Sequence, residues 1–137
     1  MAPALYRAFP SSSGCSWELS GGEQRLVNSG FGAAIVELLR GDDEFTSTGC
    51  GGWTDELKQR VWPGEPFEDG AYIIGWEVTP GRYRASQPET CSYVHLSSFR
   101  GFPAGEAPPV QRGGVTEIVD SDAVFASRGC GTWTAID

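Results

Sequence analysis

Apolar and polar residues alternate along this chain in short runs broken by glycine, proline and serine. Leu5-Tyr6-Arg7-Ala8-Phe9 alternates and stops at Pro10 and the turn Ser11-Ser12-Ser13-Gly14. Cys15-Ser16-Trp17-Glu18-Leu19 alternates again. Ala33 to Leu39 is ambiguous alone, since Ile35, Val36, Leu38 and Leu39 also suit a short helix. Val115-Thr116-Glu117-Ile118-Val119 is β-branched and strictly alternating, and Glu44–Thr48 and Ala123–Ser127 read as further strands after aspartate-rich turns. Ala71-Tyr72-Ile73-Ile74-Gly75-Trp76-Glu77-Val78 is the strongest strand signal, and Thr79-Pro80-Gly81-Arg82 turns it into a strand at Tyr83.

These runs occur twice. Tyr6-Arg7-Ala8, Cys15-Ser16-Trp17 and Gly49-Cys50-Gly51-Gly52-Trp53-Thr54 are answered by Tyr83-Arg84-Ala85, Cys91-Ser92-Tyr93 and Gly129-Cys130-Gly131-Thr132-Trp133-Thr134. Glu37, Asp42, Phe45 and Ser47 meet Glu117, Asp122, Phe125 and Ser127 at the offset of the second cysteines. A duplication of this length predicts two similar units. The 33–39 segment therefore takes the strand assignment of its partner. The predicted fold is all-β: two tandem, pseudo-symmetric small sheets or sandwiches, one disulfide each, packed as a pair. Residues 1–54 form the first unit, 55–68 a linker with a helical turn and a proline-stiffened stretch around Trp62, and 69–137 the second unit. The first unit has no counterpart of the Ala71–Val78 strand, so it is expected to carry an open sheet edge.

Four cysteines allow three pairings, and equivalence of the units selects Cys15–Cys50 and Cys91–Cys130. Each bridge would close roughly 35–40 residues, worth about 4 kcal/mol on the chain-entropy account. Zinc is the rival reading, but no two cysteines stand at the short spacing it favours, and reactive thiols would want a C-x-x-C pair or a basic neighbour. Disulfides imply an oxidising final environment.

With 137 residues, nineteen Gly, nine Pro and five Trp, the composition suits turn-rich β units rather than a helical bundle. A net charge of −8 without a basic stripe argues against nucleic acid and anionic lipid. No run is long and apolar enough to insert in a membrane, and Met1-Ala2-Pro3-Ala4 lacks the basic start and apolar core of a secretory signal.

No catalytic constellation is expected. His95 is the single histidine and has no counterpart in the first unit, which favours a structural role. Ser11–Ser13 is a loop rather than a nucleophile elbow, and the glycine pairs lack the spacing and lysine of a phosphate cradle. Asp42, Asp43, Glu44, Asp120 and Asp122 are oxygen donors suited to calcium, but turn formation accounts for them; no metal or cofactor is assigned. Trp53 and Trp133 each follow a second cysteine by three residues. Core packing is one reading; the other makes Trp53, Trp62, Trp76 and Trp133 an aromatic surface for a partner protein or a glycan.

Asp69-Gly70-Ala71-Tyr72-Ile73-Ile74-Gly75, Thr79-Pro80-Gly81-Arg82-Tyr83-Arg84, Cys91-Ser92-Tyr93, Leu96-Ser97-Ser98-Phe99 and Gly129-Cys130-Gly131-Thr132-Trp133 together resemble a two-cysteine β repeat. That repeat belongs to secreted and lipid-anchored envelope proteins of actinobacteria, often in tandem, and similar segments occur in their phages. The resemblance implies a disulfide-linked binding or structural module without catalytic residues. Two functions are expected from this. One is a virion surface component, capsid-decorating or on the tail, binding other copies or a capsid or tail protein. The other is a secreted envelope module that binds a glycan or protein through its tryptophans.

Overall fold

The computed structural model describes residues 4–9, 16–21, 24–27, 35–38, 44–50, 52–55, 65–103, 106 and 108–136. It is all-β, and the only helical element among these residues is a short 3-10 turn at Pro88–Thr90. The chain divides into two compact units, residues 1–57 with 98–108, and residues 58–97 with 109–137.

The second unit contains β7 (Phe67–Ile73), β8 (Gly81–Ala85), β9 (Ser92–Leu96), β10 (Gln111–Arg112), β11 (Val115–Ile118) and β12 (Val124–Ile136). They run in the order β10-β9-β12-β8-β11, with β7 also on β12. The long strand β12 organises the sandwich. Its first half pairs with β9 and its second half with β8, while β7 follows both halves across a register shift between Ser127 and Thr132. Gly129 and Gly131, at φ 69° and 78°, sit at that shift. A side chain at Gly129 would fall on the Thr90 carbonyl oxygen, so the corner is open to glycine alone. Sequence alternation predicts a strand over Ala123–Ser127; the Gly-Cys-Gly corner carries it on to Ile136.

Alternation gathers the aromatic side chains on one face of these strands, while Val94, Leu96, Val124 and Ala126 are buried on the other. Phe67, Tyr72, Tyr83, Tyr93, Phe125 and Trp133 form an aromatic core around Cys91 and Cys130, which are disulfide-bonded. This bridge points to an oxidising, non-cytoplasmic setting. Among the described residues no helix is long and apolar enough to cross a membrane.

The strand expected over Ala71–Val78 lies earlier, at Phe67–Ile73. Glu77 is buried and its carboxylate accepts the Ile73 amide at 2.8 Å, while the Glu77 amide donates to the Ile73 carbonyl at 2.9 Å. Those bonds fold 74–78 into a turn in spite of the apolar run.

The first unit contains β1 (Ala4–Phe9), β2 (Ser16–Gly21), β3 (Gln24–Val27), β4 (Ile35–Leu38), β5 (Glu44–Thr48) and β6 (Gly52–Thr54), in two sheets ordered β4-β1-β6 and β3-β2-β5. The repeat in sequence is also a repeat in register. Tyr6 faces Val36 as Tyr83 faces Thr116, and Ala8 faces Trp53 as Ala85 faces Trp133. Trp17 faces Ser47 as Tyr93 faces Ser127. Strands β5 and β6 thus stand for the two halves of β12, with Gly49 at φ 71° where β12 has Gly129.

A segment that the repeat placed in the second unit packs with the first. Val27 and Phe102 exchange backbone hydrogen bonds of 2.9 and 2.8 Å, and the Glu37 amide donates to the Phe99 carbonyl at 2.9 Å. Arg100 Nη1 donates to the Glu37 carbonyl at 2.6 Å. Between them Gly101 lies so close to β3 and Trp17 that a Cβ there would stand 2.5 Å from the Val27 carbonyl oxygen and 2.9 Å from the indole. The helical turn expected near 55–60 and the Trp62 stretch lie mostly outside the described residues.

Candidate interaction edge

The two units share a framework, and their described strands differ on the outer side of the strand that carries Phe45 or Phe125. In the second unit β7 covers it. Tyr72, Ala71 and Gly70 stand opposite Phe125, Ala126 and Ser127, and Phe67 stands opposite Trp133. Trp133 Nε1 donates to Ser127 Oγ at 3.0 Å, and that hydroxyl donates to Asp69 Oδ1 at 2.7 Å. The Asp69 carboxylate also accepts the amides of Cys130 and Gly131, at 3.0 and 2.9 Å. One carboxylate on β7 therefore satisfies the backbone donors that the corner of β12 exposes. Phe67 fills the space beneath, with its ring 5.1 Å from Tyr83, 6.3 Å from Phe125 and stacked 6.5 Å from Trp133.

In the first unit the receiving side is built the same way. Trp53 Nε1 donates to Ser47 Oγ at 3.0 Å. The rings of Phe45 and Trp53 meet edge-on at 5.2 Å and 81°, against 5.3 Å and 79° for Phe125 and Trp133. Cys50 is disulfide-bonded, and its Sγ lies 3.5 Å from the Ser16 carbonyl oxygen, as Cys130 Sγ lies 3.6 Å from that of Ser92. Cys15, its expected partner, lies outside the described residues. No described strand pairs with β5 on the side away from β2. The consequence shows at the inward-facing positions. Tyr83, Ser127, Phe125 and Trp133 are buried; Tyr6, Phe45 and Trp53 are half-buried and Ser47 is exposed.

The opposite face of these strands has changed chemistry as well. Val94, Leu96, Val124 and Ala126 are buried in the second unit, where the first has Glu18, Ser20, Glu44 and Thr46. With Arg25 these four line a shallow polar hollow of about 140 Å³. Arg25 forms an ion pair with Glu18 whose hydrogen bond holds that carboxyl below its ordinary value.

The tryptophans expected from the sequence stand in different surroundings within their own units. Trp133 is fully buried in the core of its unit and is a packing residue. Trp76 is 63% exposed at the turn after β7, Trp53 is half-buried beside the open edge, and Trp62 lies outside the described residues. His95 Nδ1 lies 2.8 Å from Asp122 Oδ2 and Nε2 lies 2.7 Å from Thr116 Oγ1. Asp122 also accepts the Val119 amide at 3.1 Å, and Thr116 is buried, so this group ties β9, β11 and the turn before β12 together. Asp42 and Asp43 lie outside the described residues. Among the described residues, no three His, Cys, Asp or Glu side chains gather as metal ligands would.

The sequence pattern pointed to an open edge in the first unit, but not to Asp69 as the group that closes the second. The signal was the Asp69-Gly70 pair, present in one repeat and absent from the other. No family model, curated protein or solved structure matches the chain.

Proposed function

We propose that the chain is a non-enzymatic interaction protein that works outside the reducing cytoplasm through the outer edge of β5. Its setting is a virion surface, as a capsid-decorating or tail-surface component of an actinobacterial phage. The observation that supports this reading is the pair of equivalent strands with unequal cover: β12 is flanked by β7 and β9, whereas β5 is paired on the β2 side only among the described residues. An unpaired edge with a half-buried aromatic floor recruits a strand unless something blunts it. Strand β5 has no proline and no lysine, and its one charged residue is Glu44 at its start.

The test is chemical cross-linking from position 47, carrying a photo-reactive side chain, on the oxidised protein mixed with disassembled particle components. Capture of another particle protein, or of a second copy in a defined multimer, is the expected result. Cross-links confined to the same polypeptide would sink the edge reading.

A second reading has one observation of its own. Trp76, 63% exposed on a turn pinned by buried Glu77, is the kind of rigid aromatic that a glycan or a partner protein packs on. Under this reading the protein is a secreted envelope module, and Trp76→Ala abolishes binding to cell-wall glycan while leaving the melting curve in place.

A further inference from the structure

We infer that the partner at the β5 edge is an extended strand from another polypeptide with the chemistry of β7: an aromatic residue, an Asp-Gly pair two positions later, and an aromatic residue two positions after the glycine. This rests on the edge reading above and adds what the edge accepts.

The second unit serves as the template. Its register matches that of the first unit residue for residue, so a donor strand on β5 inherits the places of β7. It sets its residues opposite Phe45, Thr46 and Ser47 where β7 sets Tyr72, Ala71 and Gly70 opposite Phe125, Ala126 and Ser127. The leading aromatic falls opposite Trp53, as Phe67 falls opposite Trp133.

The floor for that aromatic is already formed. Phe67 touches Tyr83, Phe125 and Trp133, and the equivalents Tyr6, Phe45 and Trp53 pack at the edge of their core with part of each side chain in solvent. Because the Phe45–Trp53 geometry equals that of Phe125–Trp133, insertion needs no rearrangement of that pair. Preorganisation of this kind removes an ordering cost from binding.

The aspartate is specified by the serine. Ser127 accepts the Trp133 N–H and donates its own hydroxyl hydrogen bond to Asp69. Ser47 accepts the Trp53 N–H at the same 3.0 Å, so its hydroxyl proton has the same role to play toward an incoming carboxylate.

Charge decides between partners. The Asp-Gly pair meets neutral Thr46, Ser47 and Thr48, while Glu44 stands opposite the place that Ile73 holds on β7, where an apolar or basic donor residue fits. A second copy is disfavoured because its β7 is engaged in its own unit.

The experiment uses the oxidised full-length chain, titrated with four peptides and followed by calorimetry and backbone amide resonances. The first copies residues 65–75; the second and third carry Phe67→Ala and Asp69→Ala; the fourth is an alternating Thr-Val strand of equal length. The expected result is 1:1 saturable binding of the first, with shifts concentrated in residues 44–54. The second and third bind roughly tenfold more weakly, and the fourth likewise. Ser47→Lys should weaken binding of the first peptide by about tenfold or more. Ser47→Ala, which keeps the aromatic floor, should weaken it about threefold and reduce the penalty of Asp69→Ala in the peptide by about the same factor.

Equal binding of all four peptides would overturn the inference and leave the edge reading standing. So would self-association through residues 44–48 that Ser47→Lys removes. Shifts confined to 124–128 would mean exchange for β7 and would also overturn it. If no peptide binds and no multimer forms, both readings fall.

Discussion

Trp133 donates its indole N–H to Ser127 Oγ at 3.0 Å inside the core of the second unit, and the Ser127 hydroxyl in turn donates to Asp69. The Trp53–Ser47 bond repeats the first step at the same distance, with Ser47 in solvent. One hydrogen bond thus occurs in a single molecule with cover and without it.

That pairing predicts unequal costs for the same substitution. Ser127→Ala leaves the buried Trp133 N–H without its acceptor and takes one of two donors from Asp69 Oδ1, at about 1–3 kcal/mol. Ser47→Ala exposes its unpaired N–H to water and should stay within about 0.5 kcal/mol. Chemical denaturation of both variants checks this. Equal losses would mean that Ser47 is as well covered as Ser127.

Asp69 holds the corner of β12 from across the strand. Asp69→Ala should destabilise the second unit by about 2–3 kcal/mol, because the Ser127 hydroxyl and the Cys130 and Gly131 amides lose their acceptor together. Asp69→Asn keeps one acceptor oxygen and should recover part of that loss. Denaturant midpoints for the two variants give the ranking, and equal midpoints would remove the carboxylate from the account.

The bridge between Cys91 and Cys130 spans a sequence separation of 39. On the chain-entropy account its removal costs about 4 kcal/mol. The Cys91→Ala/Cys130→Ala double variant should therefore melt far below the oxidised protein. An unchanged melt would show that the aromatic core of Phe67, Phe125 and Trp133 suffices alone.

Glu18 offers a pH test with a definite sign. Its hydrogen bond from Arg25 lowers the folded pKa below the ordinary 4.5. The pair's contribution is therefore fully present above that ordinary value and is lost as the pH falls through the folded one. Both side chains are well exposed, so the effect is small and salt-screened. Glu18→Gln should shift the denaturation midpoint slightly at neutral pH, and not at all at pH 2 or in molar salt. A shift that persists at pH 2 would contradict the ion-pair origin.

Much of the architecture was legible because the repeat anchors are chemical fixtures. Cys50 and Cys130 with tryptophans three residues on, and Phe45 and Phe125 at a constant offset, fix register as well as homology. The missing strand was legible as an absence. What escaped was whatever depends on long-range fit. Gly101 belongs with the first unit because it alone lets the backbone pass against Trp17 and Val27, and no periodicity reports that. The run from Ile73 to Val78 reads as continuous strand until the buried Glu77 carboxylate bends it back onto the Ile73 amide. Trp133 and Trp76 look alike in sequence, and the turn at 74–78 is what leaves Trp76 exposed while Trp133 lies in the core.

Amide hydrogen exchange, residue by residue in the oxidised full-length chain, separates an open β5 edge from a covered one. Strand β12 has a neighbour on each side over 124–127, so consecutive amides there should all be protected. Strand β5 is predicted to show alternation over 44–48, with amides facing β2 protected and those facing outward exchanging freely. Uniform protection along β5 would mean that its outer edge is already covered, and the first unit would have no edge to offer.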